Sequence, residues 1–341
     1  IQLTAVGTLT YRDENVALGF GHPFFGLGKV DLPMSTGYIH TIISSSMSSN
    51  KLGGAVREVG RISQDRPTCI GGRMGEKADT LPIRYRLDER SRGAERDFRI
   101  GLIRHPALSD MYTVILMQMA MQNVAGGYFD GVTNSHVEIA TRVEEGGQKL
   151  KVVRNNSFDS RATSGFSMNP LFDLFMTLTL MRRNPWGEAT PEAVDVSLTF
   201  EEARRFANIE RAQPTQQTAK PGETVEVTVY LKPYGGESRP LVLPVKVPDN
   251  APNGPLLVIM LGGNDAFMLR QRINPPPIPT DVPSLIGWLN NTVRNDSVVV
   301  ETVLPTMGLE MSGHQLHNLP QPFVDALFTS SVDGMRQIRD V

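Results

Sequence analysis

The sequence predicts a mainly β protein with some helix, an α+β chain with a β-rich first part, a mixed middle and a β-sandwich-like third part. Three observations predict it. Gly (31) and Pro (24) are abundant among the 341 residues, which favours turns and short strands over long helices. Apolar and polar residues alternate with a period of two in many short runs. Helical patterning is confined to three short segments, at 111–123, 170–181 and 283–293.

The elements follow in order. Residues 2–11 carry the β-branched and alternating residues of a strand, Arg12-Asp13-Glu14-Asn15 is a polar turn, and 16–20 returns as the second arm of a hairpin. The hairpin runs into Gly21-His22-Pro23-Phe24-Phe25-Gly26-Leu27-Gly28, a loop with glycines on both sides. Strands are expected at 38–43 and 56–63, and Ile70-Gly71-Gly72-Arg73-Met74-Gly75 reads as a tight glycine turn. After a short strand at 97–103, Ser109 or Asp110 can cap a helix from Met111 to about Asn123. That helix is apolar nearly all round, so burial is expected. Residues 132–143 and 149–154 alternate as a hairpin across Glu144-Glu145-Gly146-Gly147. Asn169-Pro170 starts a second helix, with Pro170 at the favoured first position. Strands at 194–200, 224–231 and 241–247 suggest a small sandwich, and Pro244 favours an edge. One more strand at 256–261 ends at Gly262-Gly263-Asn264-Asp265, and a proline-rich linker at 274–279 precedes a helix at 283–293 and a strand at 297–304. No fixed-period repeat is present.

These elements predict four segments: 1–155, bearing the His22 loop; 156–192, a helical connector; 193–273, β-sandwich-like; and 274–341, the linker with a C-terminal α/β segment. The formal net charge of −2 gives no field for steering nucleic acid or anionic membrane. No run approaches the ~18 uninterrupted apolar residues of a membrane-spanning helix. Cys69 is the single cysteine, so an intrachain disulfide is impossible. The chain opens at Ile1 straight into a strand-like run, with no Met and no signal-like segment, which predicts a processed or truncated piece.

The strongest chemical feature is Gly19-Phe20-Gly21-His22-Pro23-Phe24. Glycines allow close backbone approach, and histidine is the side chain best suited to move a proton near neutral pH. The functional reading of His22 is a general base; the competing one is a ring that braces a turn through a backbone carbonyl. Ser63, Asp65, the Ser44-Ser45-Ser46 run and Cys69 are weaker partners for an internal triad. Serine runs cap turns, Asp65 between Gln64 and Arg66 reads as a loop brace or ion pair, and an unpaired cysteine is a common core filler. His314 and His317 can share a helical face around a metal, but no further ligands support it, and exposed loop histidines are the favoured reading. His105 and His136 read as structural. Gly262-Gly263-Asn264-Asp265 lacks the Lys and the helix of a phosphate loop, the Met-rich helix (Met111, Met117, Met119, Met121) reads as core, and 86–96 reads as a solvated mixed-charge loop.

Val6-Gly7-Thr8-Leu9-Thr10-Tyr11, Ala17-Leu18-Gly19-Phe20-Gly21-His22 and residues 60–75 together resemble the sporulation stage IV B (SpoIVB-type) serine peptidases. In that family a strand of G-T-x-T-[FY] type leads into a G-A-L-G-H segment whose histidine belongs to the catalytic triad. Asp31-Leu32-Pro33-Met34, Ser48-Ser49-Asn50-Lys51-Leu52 and Gln64-Asp65-Arg66 are similar to an exported bacterial branch. The resemblance covers residues 1–85 and fades through about 154. It implies a partial trypsin-like β-barrel in the first segment, His22 as general base, an extended polypeptide substrate or a protein partner and an exported location; no cofactor or metal is expected. The family's nucleophile motif, G-M-S-G-S-P, does not occur; Ser164-Gly165-Phe166-Ser167-Met168 is the nearest composition. The expectation is therefore a serine endopeptidase-like protein whose nucleophile lies upstream of residue 1, is lost, or is substituted, so that this chain alone is inactive. The alternative is a non-catalytic exported scaffold or binding protein on a peptidase-like fold.

Overall fold

The structure, a computed structural model, describes residues 4–47, 49–126, 129–144, 146–160, 169–273, 279–304, 307–311, 314–328 and 335–339. With 51% strand and 19% helix the chain is mainly β, and its sheets are open, with no closed barrel among the described residues.

The first sheet is antiparallel, with five strands: β1 (Leu9–Asp13), β2 (Val16–Gly19), β3 (Gly28–Ile43), β4 (Asn50–Arg66) and β5 (Cys69–Met74), in the order β1-β2-β5-β4-β3. The hairpin across residues 13–16 is present, but residues 4–8 run beside the sheet instead of within it. The expected glycine turn at 70–75 is the strand β5. Its glycines are needed for a close approach: a Cβ on Gly72 would lie 2.8 Å from Met34 Sδ and 2.9 Å from the Arg61 carbonyl. The strands expected at 38–43 and 56–63 are parts of much longer ones, β3 and β4. Cys69 is half-buried and unpaired on β5, so it does not fill a core.

The second sheet holds the main core. Its strands are β6 (Thr80–Glu89), β7 (Ala94–Ile103), β8 (Gly131–Val143), β9 (Lys149–Ser160) and β10 (Ala189–Glu201), ordered β7-β6-β10-β8-β9, and β6 pairs parallel with β10. The segment 194–200, grouped with the third part on sequence, therefore sits at the centre of this sheet. On β6, Leu81, Ile83, Tyr85 and Leu87 are buried, and on β10, Val194, Val196, Leu198 and Phe200. Period-two alternation puts them all on one face. Helices α1 (Ser109–Ala125) and α2 (Asn169–Arg182) cover that face through Leu116, Met117, Met121, Leu174 and Leu178. Met117 and Met121 are thus core, as the apolarity of the helix predicts, whereas Met119 is half-buried and Met111, on the first turn, is exposed. Ser109 does not cap α1. It is the first residue of the helix, Leu108 stands at the cap, and the Ser109 hydroxyl instead lies 2.8 Å from the carbonyls of Ile103 and His105, tying the preceding loop. The expected charged loop at 86–96 is largely strand; its turn is held by the buried Glu89 carboxylate, which accepts from the amides of Ser91 (3.1 Å) and Arg92 (2.7 Å).

The third sheet, β11 (Ala207–Pro214), β12 (Thr224–Pro233) and β13 (Arg239–Lys246), is ordered β11-β12-β13, which leaves Pro244 on an edge strand. Val227, Val229 and Val245 pack against Val258, Met260 and Val300 of a two-stranded sheet formed by β14 (Leu257–Gly262) and a later strand. A helix, α3 (Gly263–Ile273), does follow Gly262-Gly263, which corrects the expectation that none would; a lysine is still absent from that turn. The proline-rich run lies at 274–279, and of it 274–278 falls outside the described residues. Helix α4 (Val282–Asn290) returns to the main core, burying Val282, Leu285, Ile286 and Leu289, and the later strand β15 (Val298–Val303) completes the small sheet. Asp281 caps α4 by accepting from Ser284 N (2.7 Å). The chain closes with β16 (Met307–Met311), β17 (His314–Leu319), α5 (Gln321–Phe328) and β18 (Met335–Arg339), the strands in the order β17-β16-β18.

Candidate functional site: the His22 loop

The loop between β2 and β3 is built by a few backbone departures. Phe20 has φ 74°, a left-handed value that is costly for an aromatic residue, about 1–3 kcal/mol, and Gly21 follows at φ 72°. Three contacts hold Phe20 there. Its amide donates to the Thr8 carbonyl (2.9 Å), its ring stacks near His22 and Phe24 (5.5 and 6.0 Å between centroids), and its ring covers Gly7. A Cβ on Gly7 would run into that ring, which gives the glycine of the Val6-Gly7-Thr8 run a physical reason.

Asp65, at the end of β4, fixes the rest of the loop. It has no solvent exposure, and its carboxylate accepts from the amides of Phe24 (Oδ1, 2.7 Å), Phe25 (Oδ2, 2.8 Å) and Leu27 (Oδ2, 3.2 Å). Burial alone would raise its pKa; the backbone amides of Phe25, Phe24, Leu27 and Gly26 together outweigh burial and hold the carboxyl below the usual aspartate range. Asp65 is therefore the loop brace of the two readings weighed on sequence, and its carboxylate is engaged by loop amides and not by the His22 ring, whose Nδ1 meets the Pro23 carbonyl instead.

His22 itself is exposed, and among the described residues its ring hydrogen-bonds only to the Pro23 carbonyl, with Nδ1 2.7 Å from that oxygen. A carbonyl can only accept, so Nδ1 carries the proton in the neutral ring. Nε2 is then left with its lone pair and no partner among the described residues, the tautomer a general base needs. The two readings of His22 thus coexist: the contact that braces the turn also sets the tautomer.

The other candidates stand apart from this ring. Ser44, Ser45 and Ser46 lie at the tip of the β3–β4 hairpin. Gly28 opens β3 beside Asp65, and 15 residues of strand at ~3.3 Å each put the serines roughly 50 Å away. Ser63 is half-buried on β4 without a hydrogen bond to His22. Residues 164–168 lie outside the described residues. His314 and His317 fall on the strand β17 rather than on a helix, and their side chains are outside the described residues; among the described residues no cluster of metal-ligating side chains occurs.

Two polar features were missed on sequence. One is the uncovered face of the second sheet, where Asp97, Arg86, Ser197, His136 and Asn155 stand side by side on successive strands. Arg86 Nε donates to Ser197 Oγ (2.9 Å), and His136 is engaged by Asn155 Oδ1 (2.7 Å) and Glu138 (3.3 Å), so the serine and the histidine are each held by other partners. Strict alternation in β6, β8 and β10 was the signal for this row. The other is a cavity of about 170 Å³ at one end of the same sheet, lined by Arg104, His105, Ser109, Glu144, Arg182 and Glu188 among others. The guanidinium of Arg182 is bound there by Asp110 (3.1 Å) and Glu188 (2.6 Å); burial works against its charge, and the two carboxylates more than offset it, raising its pKa. No helix of the described residues is long and apolar enough to cross a membrane. No protein-family model, curated protein or solved structure matches the chain.

Proposed function

We propose that this chain carries the base-bearing part of a serine endopeptidase-like protein of the SpoIVB type, acting on an extended polypeptide. The observation that supports it is the His22 ring: Nδ1–H donated to the Pro23 carbonyl, Nε2 open, on a loop clamped by Asp65. In this reading Nε2 takes the proton of a serine hydroxyl as its oxygen attacks a peptide carbonyl, then returns it to the departing amine. The serine is not among the described residues near His22, so it comes from elsewhere in the encoded protein or from a partner. The partial trypsin-like barrel and the exported location belong to this same proposal. The antiparallel sheet β1–β5 with a histidine at a strand end is compatible with the first.

A second reading, a non-catalytic scaffold or binding protein, is favoured by one observation: among the described residues Nδ1 of His22 meets a carbonyl and no acidic side chain. Fluorophosphonate labelling of the whole encoded protein separates the two. Labelling that is lost in His22→Ala supports the peptidase reading. No labelling, or equal labelling of both proteins, overturns it and leaves the scaffold.

A further inference from the structure

Strands β3 and β4 form a ribbon that outgrows its sheet. β5 pairs with β4 only from Gly60 to Arg66, so between Ser35 and Val59 no further strand among the described residues pairs with the ribbon, and of the N-terminal segment Val6 lies beside Gly37 without pairing as a strand. Every residue of β3 from Ser35 to Ile43 is exposed. Tyr38, Ile42, Ile43, Leu52 and Val56 are each more than half exposed, and none of these side chains belongs to a core cluster. A two-stranded ribbon is marginal in water by itself, and natural proteins guard a free edge with charge. The β4 edge has such guards, Lys51, Arg57 and Glu58. The β3 edge has none: from Leu32 to Asn50 there is no Asp, Glu, Lys or Arg.

We infer that a second copy of this chain pairs with the free edge of β3, giving a two-fold dimer joined by an antiparallel β3–β3′ contact. Three points favour this occupant. A two-fold axis lays the same uncharged edge against itself, so one contact satisfies both copies with no like charges opposed. Lipid is a poor occupant, because the unpaired N–H and C=O groups of an open edge are costly in hydrocarbon. The ribbon beyond residue 34 is about 30 Å long at ~3.3 Å per residue, so two arms can overlap along their length while the helix-covered sheets stay apart. A contact along one edge is smaller than the ~800 Å² per partner of a standard interface, so a concentration-dependent dimer is expected rather than a permanent one. The inference is independent of the peptidase reading.

Sedimentation of the whole chain over a range of concentrations tests it. The expected result is a monomer–dimer equilibrium whose dissociation constant rises at least about tenfold in Ile42→Lys, ~1.4 kcal/mol, and is unchanged in Val56→Lys on the other strand. Circular dichroism checks that both variants keep their strand content. A cysteine scan over residues 36–43 in a Cys69→Ser background gives a second readout. Oxidation should link two copies at a position near the two-fold axis. A protein that stays monomeric at all concentrations, a dimer indifferent to Ile42→Lys, or a monomer that instead binds phospholipid vesicles through Ile42 would overturn the inference.

Discussion

Asp65→Asn is the substitution that tests the His22 loop most sharply. In the native loop one carboxylate oxygen serves the Phe24 amide and the other serves Phe25 and Leu27. An asparagine offers one carbonyl oxygen and places an NH₂ donor where the second oxygen stood. At best it keeps the Phe25 and Leu27 bonds and turns a donor toward the Phe24 amide. The retained bonds lose their charge assistance, about 0.5–1 kcal/mol each, and an amide left without a partner in a buried position costs about 1–3 kcal/mol. The sum, about 2–5 kcal/mol, falls on opening of the loop and not on the second sheet, whose core it does not touch. Amide hydrogen exchange at Phe24, Phe25 and Leu27 should therefore quicken roughly 30- to 5,000-fold, with the core strand β10 unchanged. The pH dependence follows the same contact. The folded pKa of Asp65 is depressed, so its stabilisation is full above the unfolded aspartate value of about 4 and is lost as pH falls through the folded value. Exchange at the three amides that is unaltered by the substitution would refute the clamp.

Two other substitutions probe the supports of the fold. Gly7→Ala drives a methyl into the Phe20 ring; overpacking of this kind costs about 1–3 kcal/mol, so a lower Tm is expected, and an unchanged Tm contradicts the close approach. Arg154, nearly buried, holds Asp173 of α2 (2.5 Å) and also donates to the Leu289 carbonyl (3.1 Å) and Thr292 (2.8 Å), joining β9 to α2 and α4. Arg154→Met strands the Asp173 carboxylate and should cost about 3–5 kcal/mol in denaturant unfolding. Arg154→Met with Asp173→Leu should recover part of that loss, and a double variant as unstable as the sum of the singles would contradict the pairing.

Four strands of the second sheet were legible because one face of a strand is buried: Val194, Val196, Leu198 and Phe200 alternate with polar residues in β10. The fifth, β6, was missed although Leu81, Ile83, Tyr85 and Leu87 alternate in the same way, because the charges from Arg86 onward read as a solvated loop, and the grouping of β10 with β6 and β8 is a tertiary pairing. The rest was hidden by physics that is not local. Gly71 and Gly72 read as a turn because nothing nearby reveals that Met34 and Gln64 will lie against them. The true length of β3 was invisible, since a ribbon with both faces exposed leaves no hydrophobic period. The return of α4 to a core more than a hundred residues upstream is a tertiary contact that no local pattern encodes. At the site, glycines around His22 marked the loop, whereas the clamp by Asp65 spans about 40 residues of sequence and could only be guessed as a brace.

A base role for His22 depends on the protonation geometry of its ring, and ¹⁵N NMR of the imidazole measures it directly. The neutral ring is predicted to be the Nδ1–H tautomer, with an Nε2 resonance typical of a nitrogen bearing a free lone pair, and to lose that preference in Asp65→Asn as the loop opens. A ring found mainly as the Nε2–H tautomer, the form histidine prefers in water, would contradict the arrangement and remove the support for His22 as a base.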